Sequence, residues 1–267
     1  MEAQQVLDSD RWFENSPPRP SDTLRLFCLP YAGGSVYTYT NWRRSLAGVA
    51  ETYPLQLPGR GTRMLEPAFT SLPALLKSLE SALLPHLDRP FAIFGHSMGA
   101  MIAFELARVL EKSYSLRSQH LFFSGRLPPQ LAQNSGPAYD LPTPQFISEL
   151  RLLEGTPDEI LNNQELMALV LPVLRADLQL VQTYQHVPGE PLNSPITVLG
   201  GRQDSTTPAS KLGTWAAMTR SSCSVRIFPG NHFFLNQFRS AVINVVSSTL
   251  SRASVAHADP TLPEEKT

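Results

Sequence analysis

An α/β fold, built on a mostly parallel, doubly wound sheet with a helical insertion, is what this sequence predicts. Three observations predict it. Short apolar runs alternate with amphipathic helical patterns through most of the chain, which is how helices come to lie on both faces of a parallel sheet. The stretch Phe91–Phe104 passes from an apolar run through Gly95-His96-Ser97-Met98-Gly99 straight into an Ala-rich helical pattern. Between Leu127 and Pro195 the alternation breaks, and that break marks the insertion.

The bulk properties set the frame. With 267 residues and 42% hydrophobic content, the chain can bury a large core, and α/β chains of this length commonly form one domain. The expected organisation is a flexible segment 1–22, a single domain 23–252 with a lid insertion at about 127–195, and a flexible tail 253–267. A net charge of -1 offers no basic stripe for nucleic acid and no polybasic patch for a membrane, so neither is an expected partner. The two cysteines, Cys28 in an apolar run and Cys223 in a polar stretch read as a loop, make neither a disulfide framework nor a metal spacing. Residues 1–10 lack a basic and an apolar signal region, and no apolar run reaches spanning length, so a cytoplasmic monomer is expected.

Taken in order, Leu24–Leu29 is a strand that ends on Pro30-Tyr31-Ala32-Gly33-Gly34-Ser35. Ser35–Leu46 has helical potential, with Val36, Tyr39 and Trp42 forming a stripe for core packing. Thr52–Leu57 reads as a strand, and Pro54 suggests that it lies at an edge. Pro58-Gly59-Arg60-Gly61 is a turn by composition, and its arginine, like Arg63, is expected in solvent rather than facing a phosphate. Leu72, Leu75, Leu76, Leu79, Leu83, Leu84 and Leu87 recur at helical spacing and would cover one sheet face. After the helix that follows Ser97, which runs to about Glu111, Leu121–Ser124 is the next strand. Within the insertion a Pro-rich passage leads to helical patterns at 144–153 and about 164–184. Ile196–Gly201 and Val225–Phe228 are the last strands, and a helix from about Phe234 to Leu250 closes the fold.

Gly-x-Ser-x-Gly between a strand and a helix is the nucleophile elbow of the α/β-hydrolase fold, in which a sharp turn lifts the serine hydroxyl clear of the sheet. The helix N-terminus beside Ser97 favours a developing negative charge. A serine hydroxyl needs a base, and the base needs an acid to fix its tautomer. Asp204 and His232 each follow a strand, and the order Ser97, Asp204, His232 is the order of that fold. Asp88 and Asp177 are rival acids outside strand-end loops, and His96 is bound into the elbow itself. The oxyanion donors expected are the N–H of Met98 and an N–H from the Tyr31–Ala32 segment, assigned to Ala32. The Gly33-Gly34 pair could instead cradle a phosphate, but neither Gly-x-Gly-x-x-Gly nor Gly-Lys-[Ser/Thr] is present there. Tyr31, Leu166, Val170, Val173 and Leu174 are candidates for substrate contact, with Leu169 and Leu178 in the same helical stripe, although spacing alone does not separate acyl lining from core.

Four motifs carry a family resemblance over residues 22 to 252: Leu29-Pro30-Tyr31-Ala32-Gly33-Gly34-Ser35, Leu57-Pro58-Gly59-Arg60-Gly61, Gly95-His96-Ser97-Met98-Gly99-Ala100 and Gly230-Asn231-His232-Phe233. With them the chain resembles the type II thioesterases that accompany polyketide synthases and nonribosomal peptide synthetases. The resemblance implies hydrolysis of acyl or aminoacyl groups from the 4'-phosphopantetheine thiol of an acyl or peptidyl carrier protein, met transiently, with no cofactor or metal bound by the enzyme. It leaves open a medium-chain acyl carrier protein hydrolase, and a general oxoesterase or lipase.

Overall fold

The computed structural model describes residues 11–13, 24–131, 138–153 and 155–258. Strands β1 (Leu24–Leu29), β2 (Ala50–Pro54), β3 (Phe91–His96), β4 (His120–Ser124), β5 (Ile196–Gly201) and β6 (Cys223–Phe228) form one sheet in the order β2-β1-β3-β4-β5-β6. Every neighbouring pair is parallel. The chain runs outward from β1 to β2, then returns to β3 and builds the other half. The strand order therefore reverses between β1 and β3, and the crevice beyond their carboxyl ends is where such sheets bind ligands.

The helices are α1 (Trp42–Ser45), α2 (Leu72–Leu83), α3 (Met98–Tyr114), α4 (Thr143–Leu152), α5 (Asp158–Leu161), α6 (Gln164–Gln182), α7 (Ala209–Leu212), α8 (Phe234–Gln237) and α9 (Arg239–Ala258). Because strand side chains alternate, Phe27, Leu29, Phe91 and Ile93 pack under α2 and α3, while Leu26, Cys28, Ala92 and Phe94 face α1, α8 and α9. Burying each leucine, isoleucine or phenylalanine among them stabilises the fold by about 1.5–3 kcal/mol. The insertion carries its own small core, in which Phe146, Leu150 and Leu161 meet Met167, Leu174 and Leu178 of α6.

Several expectations change. The first 22 residues are not loose throughout, because Trp12 and Phe13 are buried. Phe13 packs edge-on against Tyr53 and His86, and Trp12 lies under the Arg63 guanidinium, so two large aromatics hold this part of the chain on the core. The single helix expected over 35–46 is a 3-10 turn (Val36–Tyr39) followed by α1, separated by Asn41 with φ 72°. Strand β2 begins at Ala50 and stops at Pro54, which lacks the N–H to continue it, and it is an edge strand. Cys223 starts β6 rather than sitting in a loop. The closing helix divides into α8 and α9, and α9 continues to Ala258, into the stretch read as a flexible tail. Pro137 of the Pro-rich passage, and residues 259–267, lie outside the described residues.

Candidate active site

The site begins with the backbone. At the end of β3 the Ser97 N–H donates to Ser124 O (2.8 Å), and Ser97 itself sits at φ 53°, ψ -112°. That region is costly for a residue with a side chain, and it turns the chain sharply enough to present the hydroxyl at the start of α3. Close packing around the turn requires the flanking glycines. A Cβ on Gly95 would stand 2.1 Å from Gly99 O, and one on Gly99 would stand 2.1 Å from Leu29 O.

The loops after β5 and β6 are held together before they reach the serine. Gln203 N–H donates to Gly230 O (2.9 Å), and the Gln203 side chain accepts from Gly230 N–H (2.5 Å). From these loops His232 Nδ1 comes to 2.7 Å from Asp204 Oδ2, and His232 Nε2 to 2.9 Å from Ser97 Oγ. Burial works against ionising Asp204, but His232 and the Thr207 and Thr206 hydroxyls together outweigh it and hold the carboxyl well below its ordinary range. Thr206 donates to Oδ1 from both N–H (2.9 Å) and hydroxyl (2.7 Å), and the Thr207 hydroxyl donates to Oδ2 (2.5 Å). An ionised Asp204 only accepts, so Nδ1 carries the proton and Nε2 is left to accept from the Ser97 hydroxyl.

Two backbone donors flank the serine. Neither the Met98 nor the Ala32 N–H finds an acceptor among the described residues, and both residues line the cavity at Ser97. The Ala32 loop is braced from the insertion. Asp177 of α6 accepts from the Gly33 N–H (2.7 Å) and, through both oxygens, from the Arg60 guanidinium (2.6 and 2.7 Å). Arg60 also donates to Gly34 O (3.1 Å). Arg60 and Arg63, expected in solvent, are therefore both buried, Arg60 on Asp177 and Arg63 on Glu66. Asp177, the rival acid, meets an arginine and a loop N–H instead of His232.

Behind the triplet, His96 is fully buried with Nδ1 2.8 Å from Ser124 Oγ. Burial, with the neighbouring His232 adding to it, pushes His96 down to about 3, so the ring stays neutral. Among the described residues, no group of three or more His, Cys, Asp or Glu side chains could hold a metal ion. Nor is any helix among them long and apolar enough to cross a membrane.

A polarised serine with a base, an acid and two free N–H groups can attack a carbonyl and hold the resulting oxyanion. Residues 24–250 match a family model described as "Thioesterase domain". The chain belongs to the thioesterase family. It is 38% identical over 254 residues to the protein named linear gramicidin dehydrogenase LgrE of Brevibacillus parabrevis, covering 94% of this chain and 97% of that one. It is also 38% identical to the gramicidin S biosynthesis protein GrsT of Aneurinibacillus migulanus, covering 92% and 96% respectively. The solved type II thioesterase BorB, from the borrelidin biosynthetic cluster, superposes with a TM-score of 0.82 at 32% identity, covering 90% of this chain and 98% of that one. This thioesterase is a thioester hydrolase of the serine hydrolase type, with the fold of the α/β-hydrolases.

In this thioesterase the insertion roofs a cavity of about 90 Å³ over Ser97. Of the five candidates for substrate contact, Tyr31 and Leu174 line it, and the other three do not. Leu166 is 41% exposed, Val170 packs on the insertion's own core, and Val173 is buried beside Gly59. The phase of α6 explains the correction: of the expected stripe from Leu166 to Leu178, Leu174 and Leu178 turn to the site, and Val181, about one turn further on, joins them at helical spacing. Leu150 and Leu153 complete the apolar wall. Thr206, Thr207 and the Asp177–Arg60 pair also escaped the sequence reading. An acid in mid-helix on an apolar face was the available signal for Asp177, since such a carboxylate must find a partner.

Proposed function

We propose that Ser97 is the nucleophile, His232 the base and Asp204 the acid of a thioesterase that clears acyl or aminoacyl groups from the 4'-phosphopantetheine thiol of a carrier protein, in polyketide or nonribosomal peptide assembly. The observation that carries this reading is the relay of 2.9 Å from Ser97 to His232 and 2.7 Å on to Asp204, beside the free N–H groups of Met98 and Ala32. The names of GrsT and BorB, each tied to a biosynthetic system, support the setting.

In the first half-reaction Ser97 Oγ bonds to the thioester carbonyl carbon as its proton passes to His232 Nε2. The carbonyl oxygen takes the negative charge and accepts from Met98 and Ala32, each donor contributing about 3 kcal/mol in the transition state. Collapse of the tetrahedral intermediate breaks the C–S bond. The leaving sulfur, of ordinary thiol pKa ~8.5, departs readily and takes up the proton held by His232, which returns the imidazole to its neutral form. Water, deprotonated by His232, then releases the acid and restores Ser97. The enzyme meets its carrier protein transiently, acts as a cytoplasmic monomer and uses no bound cofactor.

Turnover should be compared on acyl carrier protein thioesters, the matching acyl-coenzyme A and p-nitrophenyl esters. The expected result is a clear preference for the carrier-bound thioester. A preference for free oxoesters would overturn the reading in favour of a general esterase.

A further inference from the structure

The residue after the β4 turn, Arg126, has no task in the relay, yet its side chain reaches the cavity that holds Ser97. It is only 9% exposed. Its backbone is fixed, since Gly125 turns the chain at φ 59° and Arg126 O accepts from the Trp215 indole N–H (2.8 Å). Its guanidinium is not matched by anything of opposite charge. Among the described residues its one hydrogen-bond contact is from Nη2 to Met101 Sδ at 3.8 Å, a weak acceptor, and no carboxylate pairs with it.

The nearby acid is already committed elsewhere. Glu105 pairs with Arg108 (2.9 Å), accepts from the Tyr184 hydroxyl (2.5 Å) and has His186 Nδ1 at 3.6 Å. Tyr184 stands close enough to Arg126 for each to perturb the other, but Tyr184 directs its proton to Glu105. A buried guanidinium without an oxygen partner is expensive, and a fold keeps one where a ligand supplies the missing acceptor.

Its place along the cavity shows which part of a ligand it would meet. Gly33, beside the oxyanion donor Ala32, lies against Leu174 at one end of the α6 wall, where a Cβ would stand 2.5 Å from Leu174 Cδ2. Arg126 stands two residues past Ser124, whose carbonyl accepts the Ser97 N–H (2.8 Å), and its Nη2 meets Met101, about one turn of α3, or ~6 Å, beyond Ser97. An oxygen a few bonds beyond the carbonyl of an acyl chain on Ser97 therefore comes within reach of the guanidinium.

We propose that Arg126 is a specificity-determining residue that reads an acceptor oxygen on the acyl chain a few bonds beyond the thioester carbonyl. The substrate class is then short oxygenated acyl thioesters, 3-oxo or carboxy-substituted, in preference to plain alkanoyl groups of equal length. The cavity of about 90 Å³ suits this, being smaller than the ~150 Å³ that accommodates a benzene-sized guest. The proposal rests on the thioesterase reading above and refines it.

The test uses N-acetylcysteamine thioesters of three four-carbon acyl groups, butanoyl, 3-oxobutanoyl and 3-carboxypropanoyl, with the wild type and Arg126→Met. The readout is the ratio of kcat/KM for each oxygenated substrate to that for butanoyl, and its change on mutation cancels intrinsic reactivity. A charge-assisted hydrogen bond predicts that at least one ratio falls about tenfold or more in Arg126→Met. Both ratios staying within about twofold of wild type would overturn the proposal. If thermal melting shows that Arg126→Met does not fold, Arg126→Lys serves. It keeps the charge but loses the planar fork, so the affected ratio should drop partway, and unchanged ratios would again overturn it. Because these substrates carry no protein, a failed preference for carrier-bound thioesters would defeat the broader reading without touching this one.

Discussion

Asp204 and Asp177 are both buried carboxylates that brace the Ser97 site through their partners, one from the loop after β5 and the other from α6 of the insertion. Their partners differ in kind. Asp204 meets a histidine, a group able to gain and lose a proton, and two threonine hydroxyls fix its orientation. Asp177 meets an arginine, whose charge never changes, and one backbone N–H of the oxyanion loop. The difference teaches that a buried acid beside one site can hold a group able to exchange a proton or a group of fixed charge, and that the partner decides what it can do.

Mutation should separate the two roles. The largest expected effect lies in the relay that Asp204 serves: Ser97→Ala and His232→Ala should each lower kcat by on the order of 10⁶, with no further loss in the double mutant. Asp204→Asn should cost about 10⁴ in kcat, because the amide favours the wrong tautomer of His232. Asp177→Asn should reverse the pattern. Leaving Arg60 buried and uncompensated costs about 3–5 kcal/mol of stability, read by denaturant titration, with the smaller rate loss traced to a looser Ala32 loop. If Asp177→Asn proved worse for kcat than Asp204→Asn, the two assignments would have to be exchanged.

Removing both partners sharpens the contrast. Asp177→Leu with Arg60→Met deletes the pair without stranding a charge, so it should recover most of the stability lost in Asp177→Asn. No such rescue is expected for Asp204, whose partner is the proposed base. A failed rescue would show that the hydrogen bonds to Gly33 and Gly34, and not charge balance, are what the insertion contributes.

Acid titration of stability gives the smallest and most graded effect. The folded-state pKa of Asp204 is depressed, so its contribution is present above the ordinary value of 3.8 and is lost as pH falls below it. The neutral buried histidines act in a higher window. Burial pushes His120 down to about 4 and His96 to about 3 from an ordinary 6.5, so below 6.5 the unfolded chain takes up protons that the folded chain refuses. Stability should therefore fall as pH drops from 6.5 toward 4. His120→Gln, which keeps a partner for Thr197, should flatten that slope while leaving the fall below 3.8 in place. An unchanged slope in calorimetric melts would remove His120 from the account.

The legible part of the site was the part written in local pattern. The elbow is five consecutive residues, and Asp204 and His232 each follow a strand, so period and turn chemistry were enough to name three side chains that the fold brings within hydrogen-bond distance. Arg60 and Asp177 are separated by 117 residues, and nothing in either neighbourhood names the other. Composition alone placed the arginine of a Gly-rich turn in solvent, whereas a buried acid arriving on α6 holds it inside. Trp12 and Phe13 were hidden for the same reason, since a short aromatic pair in a polar lead-in shows no periodicity to reveal the core it joins. On α6 the helix was legible but its rotation and docking height were not, which is why Leu174 and Leu178 were named together with Leu166, Leu169, Val170 and Val173, which do not line the cavity, and Val181 was missed.

The most direct test of the central claim is rapid-quench mass spectrometry of the enzyme mixed with an acyl carrier protein thioester. An acyl group on the peptide that contains Ser97, forming and decaying at rates consistent with turnover and absent in Ser97→Ala, is the predicted result. Turnover with no covalent adduct, or an adduct on another residue, would contradict it.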